Sequence, residues 1–98
     1  MAPSNDLAAE IVMTALEENL PEPNRNWPAD IFEEQSYARW AAYELANRLM
    51  DRPYEFVDNI IQDFILEMSG YLHQVRDPQK ERLFRVAIDT AEDILTLF

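Results

Sequence analysis

Four runs of apolar residues, each stepping by three and four positions, constrain this chain more than any other feature. The first run is Leu7, Ala8, Ile11, Val12, Ala15, Leu16 and Leu20. The second is built on Ala38, Ala41, Ala42, Leu45 and Leu49. The third is Phe56, Val57, Ile60, Ile61, Phe64, Ile65, Met68 and Leu72, and the last is Leu83, Phe84, Ala87, Ile88, Ala91, Ile94, Leu95 and Phe98. That spacing lines one face of an α-helix, which must find a core. Prolines punctuate the runs. Pro21 and Pro23 stop the first, and Pro28, Pro53 and Pro78 suit the first turns of the others. The pattern predicts an all-α, up-and-down bundle of about four helices near residues 4–20, 28–50, 53–75 and 78–98. A chain of 98 residues has room for one such domain, spanning 1–98.

The chain has one glycine, Gly70, so a turn-rich all-β fold lacks the residues its turns need. Gly70 either loosens the third helix or ends it, with residues 71–76 irregular. Residues 28–50 read as one long helix, or as a short turn followed by a helix capped by Ser36. Ser4 or Asn5 can cap the first helix, Asp51 the third and Asp77 the fourth. Trp27, beside Pro28, reads as a lid over the end of the core, and Phe98 as a core plug.

Most chemistry lacks its residues here. Without cysteine there is no disulfide, thiolate metal site or thiol nucleophile, which fits a reducing, cytoplasmic setting. The only histidine, His73, has no motif beside it that offers a nucleophile and reads as a polar surface residue. A di-iron bundle needs Glu-x-x-His pairs on two helices, and one histidine cannot supply two. No phosphate loop is possible with one glycine, and no Gly-x-Ser-x-Gly elbow occurs. The carboxylate pairs Asp6/Glu10, Glu55/Asp58 and Asp63/Glu67 admit weak Mg²⁺ or Ca²⁺ binding, but an acidic outer helix face produces such pairs unaided. The chain thus reads as non-catalytic, with no cofactor and no resident metal. The opening residues carry no basic run ahead of an apolar stretch, so no secretory signal is expected, and no apolar run is long enough to span a membrane.

The net charge of -11 comes from 19 acidic and 8 basic residues. It repels nucleic-acid phosphates and anionic lipid and attracts a basic partner, although many soluble bacterial proteins are acidic for solubility alone. The charge is uneven. Residues 1–20 carry four acids and no base, and residues 51–75 carry five acids and one base. Asp6, Glu10 and Glu17 on the first helix, with Glu55, Asp58, Asp63 and Glu67 on the third, form a single-sign face if those helices adjoin.

The second helix has apolar surface on two sides. Opposite its alanine and leucine stripe lie Trp40, Tyr43, Asn47 and Met50. Either this helix is central and Trp40 is core, or the aromatic side is a face for a protein partner or a second copy. The string Ser36-Tyr37-Ala38-Arg39-Trp40-Ala41-Ala42-Tyr43-Glu44 resembles segments of small bacterial proteins and implies no residue roles. The expected function is a small acidic interaction module, self-associating through helix two or docking on a protein, with no direct nucleic-acid or membrane binding. The alternatives are an acidic inhibitor or immunity-like protein that occupies a basic nuclease or DNA-binding protein, and a weak divalent-metal binder.

Overall fold

A computed structural model describes residues 4–98. Four helices follow in order: α1 (Asn5–Asn19), α2 (Ala29–Asp51), α3 (Val57–Gln74) and α4 (Pro78–Leu95). Ser4 caps α1 by accepting from the Leu7 N–H, and Asp77 caps α4 by accepting from the Gln79 N–H. Asn5 is the first helical residue and has a different task. Its side-chain amide donates to the carbonyls of Arg52 and Glu55, tying the start of α1 to the α2–α3 corner.

Several boundaries differ from the sequence expectation. Residues 29–51 form one uninterrupted helix, with Pro28 just before it rather than in its first turn. Ser36 is no cap: its hydroxyl donates to the Phe32 carbonyl one turn back. Asp51 ends α2 instead of capping α3, which starts at Val57 rather than near residue 53. Pro53 disfavours helical geometry at Arg52, and a turn closed by the Glu55 N–H on the Arg52 carbonyl follows. Phe56 therefore lies in the corner, 72% exposed, rather than in the core. Gly70 does not end α3, which continues to Gln74. Phe98 is 40% exposed and plugs nothing, and Leu7 also faces solvent. Trp27 is partly buried, in a turn closed onto the Asn24 carbonyl.

The helices alternate in direction. Arg39 of α2 donates to the carbonyl of Leu20, where α1 ends, while Asn5 at its start reaches Arg52 at the far end of α2. Arg52 and Arg48 meet Asp63 and Glu67 of α3 in antiparallel order. Pairings between α2 and α4 rise together: Glu34 with Arg82, Tyr37 with Phe84, and Ala42 beside Thr90 and Ile94. These two helices are therefore parallel neighbours, across what is a diagonal in a square bundle. Their buried residues explain it. Ala38, Ala41 and Ala42 on α2 and Ala87 and Ala91 on α4 are buried short side chains, of which Ala42 lies beside Thr90 and Ile94, and such side chains permit close approach. As a result α2 is central, packed on α1, α3 and α4. Phe64, Leu16, Leu45, Leu49, Ile60, Ile61 and Val12 are its largest fully buried neighbours and members. Each such burial contributes about 1.5–3 kcal/mol.

Candidate functional site

Helix periodicity builds an open groove between α1 and α2. Positions 6, 9, 10, 13, 14 and 17 of α1 face positions 43, 46, 47 and 50 of α2 across a depression of about 600 Å³. Ala9, Met13, Ala46, Tyr43 and Met50 supply its apolar surface. Asp6, Glu10 and Glu17 stand along its α1 side. Among the described residues, none of these three carboxylates is in an ion pair and no cation lines the groove. Arg39 comes near, with its guanidinium 5.9 Å from the Tyr43 ring centre. It is already engaged by the Leu20 carbonyl and Glu22.

The structure divides the aromatic side of α2 that the sequence groups together. Tyr43, Asn47 and Met50 line the groove, but Trp40 does not. Trp40 turns toward the α2–α3 seam, its ring 5.5 Å from Tyr37 and 6.0 Å from Phe64. Tyr37 continues edge-on to Phe84, which stacks on Tyr71. Trp40 is 42% exposed, so it seals the edge of a packed aromatic row rather than sitting in the core.

The acidic residues divide too. α1 packs chiefly on α2, and α3 packs chiefly on α4. The two acidic helices therefore do not pack side by side along their length, although Asp6 and Glu55 border one hollow at the α2–α3 corner. Most of the acids expected on the third helix are paired with arginines: on α3, Glu67 meets Arg48 of α2 at 2.8 Å and Asp63 meets Arg52, just past α2, at 3.7 Å, while Glu55, which lies in the corner before α3 rather than on it, meets Arg52 at 3.6 Å. Arg48 also bonds Glu44 and lies over the Phe64 ring. Its hydrogen bond to Glu67 raises its pKa above the usual arginine value, despite opposing desolvation. The same bond holds the Glu67 carboxyl below its usual range. Of the seven acids in the expected face, Asp6, Glu10, Glu17 and Asp58 carry no ion pair among the described residues.

Among the described residues no group of three or more His, Asp or Glu side chains is placed to hold a metal ion. His73 is exposed near the end of α3. No described helix is long and apolar enough to cross a membrane. No family model, curated protein or solved structure matches this chain.

Sequence reasoning missed Tyr54 and Phe56. Tyr54 is fully exposed, and Phe56 largely so, on the corner after α2. Phe56 fits the α3 periodicity by one step, which disguises it as a core residue. The Asp51-Arg52-Pro53 break was the available signal, because residues just past a proline break leave the helix period.

Proposed function

We propose that this chain is a non-catalytic interaction module whose α1–α2 groove takes a positively charged segment of a protein partner. One observation carries the reading: the groove joins exposed apolar side chains to Asp6, Glu10 and Glu17, with no cation among the described residues that line it. A partner with lysines or arginines beside an apolar stripe satisfies both features at once. Self-association through the same surface brings two rows of carboxylates together, so it is disfavoured relative to a cationic partner. The lack of cysteine suits a cytoplasmic setting, where the partner would be met.

The test is a titration of the full chain with a lysine/leucine amphipathic helical peptide at about 0.15 M salt, a range where exposed charges still act over roughly 8 Å. Asp6→Asn/Glu10→Gln/Glu17→Gln is expected to lose at least tenfold in affinity. Asp30→Asn/Asp89→Asn/Glu92→Gln removes the same charge from exposed sites elsewhere and is expected to bind as the wild type does. Equal losses from both triples reduce the attraction to net charge and overturn the reading. Light scattering on the same sample is expected to return a monomer. A stable dimer that covers Tyr43 and Met50 assigns the groove to self-association instead.

A second reading shares this physics. α1 carries four acids and no base, a one-signed row suited to covering the nucleic-acid site of a basic nuclease or DNA-binding protein. Competition between the chain and DNA for such a protein, lost at high salt, distinguishes an inhibitor from a general adaptor.

A further inference from the structure

The corner between α2 and α3 lies at the end of the α1–α2 groove. Asp6 lines the groove and also a second hollow of about 330 Å³, which is bordered by Pro53, Tyr54, Glu55 and Phe56. Met50, the last groove residue of α2, is 57% exposed one turn before this corner. Tyr54 at 101% and Phe56 at 72% exposure make little use of their rings within the chain. Large apolar rings left in water beside an apolar groove are what a partner's hot spot needs.

The corner is also held in place. Asn5 is the only buried polar residue among those described, at 8% exposure. Its amide spans the Arg52 and Glu55 carbonyls, 2.5 and 3.1 Å away. The backbone on either side of Tyr54 is therefore fixed to the first turn of α1, the turn that carries Asp6. An anchor held before binding loses less entropy when the partner arrives.

From these placements we infer that the groove and the 53–56 corner are one docking surface for a cationic amphipathic helix, with Tyr54 and Phe56 as its aromatic anchors. The occupant follows from charge and length. Glu10 and Glu17 flank the groove, Asp6 marks its junction with the corner, and Glu55 stands within the corner hollow. From residue 6 to residue 17 of α1 the axial run is about 17 Å. A helix of roughly eleven residues covers that length at 1.5 Å per residue, and a few more reach the corner. Its apolar stripe meets Met13, Tyr43 and Met50, its end meets Tyr54 and Phe56, and its cations flank the carboxylates. This deepens the reading of the groove as a site for a positive partner and rests on it.

The experiment uses a lysine/leucine helix of about eighteen residues, long enough by the helical rise to span groove and corner. The full chain is titrated with it alongside Tyr54→Ala/Phe56→Ala and the control Leu66→Ala, an exposed α3 residue. The double variant is expected to lose at least tenfold in affinity, keep the wild-type helical circular dichroism and retain its melting temperature within a few degrees. Leu66→Ala is expected to bind like wild type. In NMR titration the amides of residues 6–17, 43–50 and 54–57 are expected to shift together. If wild type binds in a salt-sensitive manner and the double variant binds equally well, the corner is not part of the surface, while the groove stands. If wild type does not bind the peptide, the reading of the groove fails as well.

Discussion

Gly70 shows how little a residue type fixes without its setting. It lies inside α3, at negative φ, so the helix does not use glycine's freedom. A Cβ added there meets nothing within 4 Å. Gly70→Ala is therefore expected to stabilise the protein by about 0.5–1 kcal/mol, through lower unfolded-chain entropy and better helix propensity. Thermal or urea unfolding checks this, and a loss of stability would reveal a role for the glycine outside the helix. Asn5 is the converse case. It reads as a second candidate cap beside Ser4, yet it is the residue that joins two distant parts of the chain.

Between elements, the α2–α3 seam joins apolar packing to charge. Phe64 is buried beneath the Arg48 guanidinium, which pairs in turn with Glu44 and Glu67. The Glu67 carboxyl releases its proton more readily in the folded chain than in the unfolded one, chiefly through its hydrogen bond to Arg48. Its contribution to stability is complete above the ordinary glutamate pKa and is lost as pH falls through the lowered folded value. Glu67→Gln is expected to lower stability slightly at neutral pH, by about 0.5 kcal/mol, since the pair is partly exposed and solvent screens it. The difference from wild type is expected to close below the usual carboxylate range. Melting curves of both proteins from neutral to acid pH check the sign, and a gap that widens toward acid contradicts the assignment. The packing of α2 against α4 acts at the same scale: with α2 at the centre, α1 has one principal neighbour, and an open groove lies between those two helices.

For the molecule as a whole, charge is the dominant unbalanced quantity. A net -11 on an 11.5 kDa chain repels itself, and Arg48 and Arg52 relieve α3 but not α1. Raising salt from low concentration to about 0.5 M is expected to raise the melting temperature, because screening shortens the range of this repulsion to a few ångströms. A flat or falling melting temperature would mean that the ion pairs on α2 and α3 outweigh the repulsion along α1. Binding of a cationic helix is expected to weaken over the same range, so salt moves stability and affinity in opposite directions.

Local spacing was enough to establish four helices and their approximate extents, because helical periodicity is a property of neighbours along the chain, and the short connections between them pointed to alternating directions. The candidate surface was only partly legible for the same reason. Tyr43, Asn47, Met50, Asp6, Glu10 and Glu17 stand out in the sequence, but nothing local says that the two helices carrying them face each other while α3 turns its acids to arginines. Trp40 leaves that group and Tyr54 and Phe56 join it because of where α2 ends and which helices its alanines admit. Those are decisions of long-range packing, and only the tertiary structure makes them.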